Sequence, residues 1–199
     1  MARNSPEPDS LAPVRNTSPI PHHPSHSWRI QRHREVSSTS DLAKEAPPWT
    51  VVVAERQTQG RGRLGRTWHS PTGGLWLSAV LPPPVPAQAM VALAVARALS
   101  AACGLPVRYE PPNDLALLGR KLGGVLVETV FAKGRPIKVV VGVGINVNNP
   151  SQAFPSPLSG RAIALVDVLG APQDLKVVTR AVLAGIEAAH KEAVCHKWR

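Results

Sequence analysis

Cysteine is nearly absent from this 199-residue chain, which has only Cys103 and Cys195. Two thiols so far apart build neither a disulfide framework nor a zinc site, and they favour free thiols in a reducing compartment. Acidic residues are short as well, 13 against 23 Lys and Arg, so the formal net charge is +10. That balance points to an acidic partner or an anionic substrate without choosing between them. No apolar run approaches the roughly 20 residues of a membrane span, and the N-terminus has no signal-peptide core. A cytoplasmic location with no membrane partner is expected. Two full domains would be crowded in this length, and the hydrophobic fraction of 43% is ordinary for a globular protein.

What is present divides along its apolar pattern and its breakers. Residues 1 to about 27 are rich in Pro, Ser, Asn and His and show no apolar period. They bury too little surface to offset the entropy of ordering, so a disordered leader over 1–27 and one domain over 28–199 are expected. His22, His23 and His26 in that leader suggest adventitious metal binding rather than a site. A first strand is expected over Trp28–Val36. Ser38 with Asp41 three residues on has capping-box spacing and predicts a short helix to about Ala46, ended by Pro47 and Pro48. Strands over Val51–Glu55 and Leu75–Leu81 follow, then an Ala- and Leu-rich helix from Pro86 to Cys103 with Gly104 at its C-cap. Val107–Tyr109 reads as a short strand broken by Pro111 and Pro112. Gly123–Phe131 and Ile137–Ile145 read as a hairpin turning at Lys133, Gly134, Arg135 and Pro136. Helices around Arg161–Leu169 and over about Leu175–Val194 close the chain. Strands interspersed with helices, including an adjacent hairpin, predict a mixed α+β domain rather than a doubly wound sheet.

Between the second and third strands lies Glu55–Trp68, where Arg56, Arg61, Arg63 and Arg66 are interleaved with Gly60, Gly62 and Gly65. Arginine offers phosphate oxygens a planar fork of donors, and glycine lets the backbone approach a ligand closely. A cationic loop held between two core strands is a reasonable anion clamp. Gly60 to Gly65 matches the spacing of a dinucleotide fingerprint, but that site needs a helix opening at its last glycine, and Pro71 stops one here. Arginine–glycine RNA-binding tails are repeated and disordered, whereas this run is single and flanked by apolar strands. A solvated charged loop stays open on spacing alone.

Four separated elements occur in order. They are Ser37 to Thr39; Gln57 with Gly60 to Trp68; Pro112 to Leu115 with Gly119 to Gly124; and Gly142 to Asn146 with Asn148. Together they resemble the catalytic domain of biotin–protein ligases, in the biotin/lipoate ligase family, over roughly Glu35 to Arg199. The resemblance implies that family's fold, a mixed, largely antiparallel sheet with helices packed on it. It also implies the reaction: biotin is activated by ATP to biotinyl-5'-AMP, then passed to a lysine of the biotin carboxyl carrier protein of acetyl-CoA carboxylase. Biotin and ATP would be substrates, Mg would accompany ATP, and a homodimer is compatible with the resemblance. A lipoate or octanoate ligase of the same fold, or a catalytically weak biotin-binding homologue, are the alternatives. The Gly-Arg-Gly-Arg run favours biotin.

By the same resemblance, Lys121, Arg61, Arg63 and Asp114 would form the catalytic set. Lys121 would bridge the biotin carboxylate and the phosphate, and Asp114 would help hold Mg. Ser38, Thr39 and Gln57, with backbone at Gly60 and Arg61, would hydrogen-bond the ureido ring, while Gly123 and Gly124 let strand backbone approach it. On the nucleotide side would stand Arg61, Arg63, Arg66 and Asn113, with Trp68 packing on adenine and Asn146 facing it. Fixed cations in a water-poor site stabilise charge that builds on a phosphoryl group. An acyl-adenylate is hydrolysed when water reaches it, so an arginine loop that closes as a lid would protect the intermediate.

Two departures from the family pattern stand out. Glu110 and Pro111 occupy positions where the family usually has Lys-Trp, which puts an anion and a rigid ring beside the expected biotin pocket. The chain also stops at Trp198 and Arg199, where the family commonly continues into a small β-barrel. No DNA-binding helix-turn-helix precedes the catalytic part, so DNA is not an expected partner.

Overall fold

The computed structural model describes residues 27–196. Apart from Ser27, the expected leader and its histidines lie outside the described residues, as do Trp198 and Arg199. Seven strands make one sheet: β1 (Arg29–Val36), β2 (Thr50–Gln57), β3 (Leu75–Leu81), β4 (Arg108–Glu110), β5 (Asp114–Leu117), β6 (Arg120–Ala132) and β7 (Arg135–Ile145). Their spatial order is β1-β2-β3-β7-β6-β5-β4, with β1 and β2 parallel and every other neighbouring pair antiparallel. This is the mixed, largely antiparallel α+β class expected from the sequence.

Alternation along the strands sorts side chains to two faces. Leu75, Leu77, Ala79 and Leu81 of β3 join Val139, Val141, Val143 and Ile145 of β7 in one large core. Helices α2 (Gln88–Cys103) and α5 (Leu175–His196) cover that face. They approach closely because Gly185 lies against the Val95 backbone, where a Cβ would come within 2.7 Å of the Val95 Cα. Gly104, at φ 65°, ends α2 as expected.

The alternate residues face the other way. Val52, Val80 and Val140 pack against Ala43 and Ala46 at helix α1 (Thr39–Glu45). Helix α1 is short and covers only part of this second face. Beyond its N-terminus the alternate positions are small: Ser78 on β3 pairs with Gly142 on β7, and Gly144 lies between Trp76 and Gly124. Residue size alone therefore leaves a hollow beside the start of α1.

Two local expectations are corrected, and one strand that the sequence did not announce is present. Ser38 is the N-cap of α1, but its side chain makes no capping bond, and the Asp41 carboxylate turns to Arg61, so no capping box closes. Asp114–Leu117 forms β5, although Asn113 and Asp114 carry turn preferences; pairing with β4 on one side and β6 on the other overrides them. The helix expected around Arg161–Leu169 is two short ones, α3 (Leu158–Arg161) and α4 (Leu165–Leu169). The chain between them is drawn out along β6, where the Ile163 N–H donates to the Lys121 carbonyl at 2.9 Å. Cys103 and Cys195 are free thiols. Among the described residues, no helix is long and apolar enough to cross a membrane.

Candidate functional site

The hollow is a cavity of about 40 Å³ between the sheet, the start of α1 and the arginine loop. It has room for a few waters. Ser38, Thr39, Ser40 and Gln57 form one wall, and Arg61, Gly62 and Trp68 form the roof. The floor is the sheet itself at Ser78, Gly124, Gly142 and Gly144, with Asn113 at the rim.

The wall is polar but uncharged. Gln57 ends β2 and is gripped at both ends of its amide. Its Oε1 accepts from the Thr39 N–H at 2.8 Å and from Thr39 Oγ1 at 3.1 Å, and its Nε2 donates to Ser70 Oγ at 2.9 Å. Thr39 Oγ1 also meets Ser78 Oγ at 2.8 Å, and Ser40 Oγ lies 3.2 Å from the same atom. Ser38, Thr39, Ser40 and Ser78 are all buried. Hydroxyls and an amide held this way suit a neutral ligand with its own donors and acceptors, because burying a charge there would go uncompensated.

The roof is cationic. The Trp68 N–H donates to the Gly60 carbonyl at 2.8 Å and the Gly62 N–H to the Arg66 carbonyl at 2.7 Å, folding the run into a narrow loop. Its tip is a tight turn over Arg63–Gly65, with Leu64 at φ 57° and Gly65 at φ 72°. At the loop's root the Gln59 N–H donates to the Ser37 carbonyl at 2.8 Å. The Trp68 indole lies over Gly144, where a Cβ would come within 2.5 Å of its Nε1. That N–H is buried without a partner among the described residues. The Lys121 ammonium stands 5.1 Å from the centre of the Trp68 ring and pairs with Asp114 Oδ1 at 2.7 Å.

Arg61 grips the Asp41 carboxylate with both arms of its guanidinium, one bond being 2.9 Å from Nη1 to Oδ2. That hydrogen bond holds the Asp41 carboxyl below its usual range, against a smaller opposing effect of burial. The same contact raises Arg61. Among the described residues, neither Arg63 nor Arg66 takes part in an ion pair.

The structure thus brings Ser38, Thr39, Gln57, Arg61, Trp68, Asn113 and Gly124 to one cavity. Gly60 is buried beneath the Trp68 carbonyl, and Lys121 and Asp114 stand at the Trp68 edge. Arg63 and Arg66 sit out along the loop. Two of the expected residues stand apart from the cavity lining. Gly123 does not line the cavity: opposite Ile145 in the register, it turns to the other face, where a Cβ would meet the Gly144 carbonyl and Ile145. Asn146 is also turned away, since its amide donates to the Ile163 carbonyl and accepts from Asn149, each at 3.2 Å, and it is buried. Ser40, Ser78, Gly142 and Gly144 carry no role in the sequence reading. For Ser78, Gly142 and Gly144 the signal is small residues in apolar strand runs, which becomes legible once the strands are paired; Ser40 lies in α1.

Residues 28–146 match the Biotin/lipoate A/B protein ligase family. The fold is similar to a biotin protein ligase from Aquifex aeolicus solved in complex with biotin and ATP, with a TM-score of 0.72 and 36% identity, covering 82% of this chain and 71% of that one. In sequence the chain is similar to the bifunctional ligase/repressor BirA of Bacillus spizizenii, 36% identical over 173 residues, or 81% of this chain and 53% of the relative. It is also similar to the biotin–[acetyl-CoA-carboxylase] ligase of Paracoccus denitrificans, 36% identical over 127 residues, or 57% of this chain and 52% of that one. The chain spans about half the length of these curated relatives.

Proposed function

Because the chain belongs to the Biotin/lipoate A/B protein ligase family, we propose that it activates biotin with ATP and transfers it to a lysine of a biotin carboxyl carrier protein, with residues 28–199 as the catalytic unit. The observation that carries this reading is the split of polarity across one cavity. Buried hydroxyls and a clamped amide line one side, while Lys121 and the arginine loop stand at the other.

That split matches a ligand with a neutral ureido ring at one end and a carboxylate at the other. Ser38, Thr39 and Gln57 hold the ring, and the glycines at 124 and 142 let it lie close to the sheet. A site built to hydrogen-bond those atoms rejects analogues that lack them. The carboxylate then points toward Lys121. A carboxylate oxygen forms a bond to the α-phosphorus of ATP, the bond from that phosphorus to the bridging oxygen breaks, and pyrophosphate leaves with the electron pair. Lys121, Arg63 and Arg66 offset the charge that gathers on the phosphoryl oxygens. Trp68 and Asn113 border the space left for the nucleoside. In the second step the carrier's neutral lysine amine attacks the biotinyl carbonyl and gives up a proton to solvent, the bond from that carbon to the phosphate oxygen breaks, and AMP departs with the electron pair.

No group of three or more His, Cys, Asp or Glu among the described residues could hold a metal by itself. Asp114 offers one carboxylate at this edge, which suits Mg, an ion commonly bound through one or two carboxylates and substrate phosphates. Mg would neutralise phosphate charge there.

Lipoate lacks the ureido ring, so it would leave the wall of Thr39, Gln57 and Ser78 unanswered. The deciding experiment is ATP–pyrophosphate exchange by the purified chain with biotin or lipoate as the acid. Biotin-dependent exchange is the expected result. Exchange with lipoate alone would select the other branch of the family, and biotin binding without exchange would make the chain an inert binder.

A further inference from the structure

Three loop arginines were expected to serve phosphate, yet only two are available for it. Arg61 lies at the root of the loop, bridged to Thr67 across the stem, and the neighbouring Gly60 carbonyl accepts the Trp68 N–H. Whatever fixes Arg61 therefore fixes the position of Trp68. Asp41 sits in the first turn of α1, directly after Ser38, Thr39 and Ser40, which form the wall. The two-armed contact between Arg61 and Asp41 joins roof to wall by side chains, beside the backbone tie from Gln59 to Ser37.

A guanidinium already paired two-to-two with a carboxylate has little left to offer a phosphate. Lys44 near Asp41 and Glu128 near Arg61 pair with each other at 2.8 Å, so they complete a charge network around the contact. Arg63 and Arg66, by contrast, are in no ion pair among the described residues.

We infer that Asp41 is a positioning residue of this site: its carboxylate latches Arg61, which seats the loop and Trp68 over the ring-binding wall and leaves phosphate binding to Arg63 and Arg66. The inference rests on the reading of the cavity as a biotin site. The side chains of Arg61 and Asp41 are 37% and 46% exposed. Solvent screening therefore limits the latch to a small contribution, and its loss is expected to read as about a three- to fivefold change.

The test compares Asp41→Asn, Arg61→Lys and the double variant in the full chain. Two readouts are needed: biotin affinity by calorimetry, and cleavage within residues 59–67 of the ligand-free chain by a protease of broad specificity. Each single variant should weaken biotin binding and speed cleavage about three- to fivefold, and the double variant should be no worse than either. Asp41→Glu should recover part of the loss, and the KM for ATP should stay within about twofold throughout. Additive effects in the double variant would overturn the inference. So would an Arg61→Lys effect confined to the KM for ATP, which would return Arg61 to the phosphates. A lower melting temperature for Asp41→Asn with unchanged cleavage would also overturn it, reducing Asp41 to a helix-end residue. Cleavage is read without ligand, so a wild-type chain that binds no biotin would defeat the proposed function while the latch is still tested.

Discussion

The floor of the cavity belongs to strands β3, β6 and β7, where Leu77, Ser78, Val125 and Val143 are all at most 3% exposed, whereas in its roof Leu64 is 86% exposed. Each fully buried Val or Leu under the floor contributes about 1.5–3 kcal/mol. The roof is held by a few backbone bonds and one exposed ion pair worth at most about 1 kcal/mol. Moving the roof is therefore cheap, and moving the floor amounts to unfolding. Ligand entry and water exclusion need such a pairing, in which a rigid surface sets the shape and a movable one closes it.

The comparison breaks most visibly at Lys121, which stands where floor and roof meet. If its ammonium offsets phosphoryl charge, Lys121→Ala should slow single-turnover adenylation about 10²–10³-fold, or roughly 3–4 kcal/mol, with folding intact. A variant with the wild-type rate would remove Lys121 from the mechanism.

Two glycines on neighbouring strands sharpen the contrast. A Cβ at Gly123 would run into the Gly144 carbonyl, which is floor backbone, while a Cβ at Gly144 would run into the Trp68 indole, which is roof. Gly123→Ala should cost about 1–3 kcal/mol in urea unfolding. Gly144→Ala should change stability by no more than about 0.5 kcal/mol, yet displace Trp68 and weaken biotin binding. Equal losses of stability in both variants would erase the distinction between floor and roof.

A smaller effect is expected at the departure from the family pattern. Glu110 stands opposite Asp114 in the β4–β5 pair and shares its face of the sheet, but it is exposed, so solvent screens its charge from the site. Replacing Glu110→Lys together with Pro111→Trp should raise adenylation by less than about tenfold, or 1.4 kcal/mol. A gain of about a hundredfold would show that the anion faces the reacting phosphate.

The same contrast governs how much was legible in the sequence. The floor strands announced themselves, because Leu75–Leu81 and Ile137–Ile145 are apolar runs bounded by prolines and turn residues. The side each glycine faces was not legible. Gly123 and Gly124 are adjacent, and only the pairing of β6 with β7 decides which one meets the cavity. Ser38, Thr39, Gln57 and Lys121 emerged from the order of four motifs rather than from any local preference. Asp41 was misread for the opposite reason. Its spacing from Ser38 offered a local capping bond, but its partner Arg61 lies 20 residues away and binds through two charged hydrogen bonds. Asn146 was expected to face adenine; in the structure its buried amide bonds Ile163 and Asn149 and does not line the cavity.

The central claim is that this cavity makes an acyl-adenylate and closes over it. The most direct measurement mixes the chain in excess with biotin and MgATP, passes it through gel filtration, and identifies by mass spectrometry what remains bound. The account predicts biotinyl-AMP, close to one for each biotin supplied and retained with the protein. Recovery of unchanged biotin from a folded chain, with ATP intact in the flow-through, would contradict it.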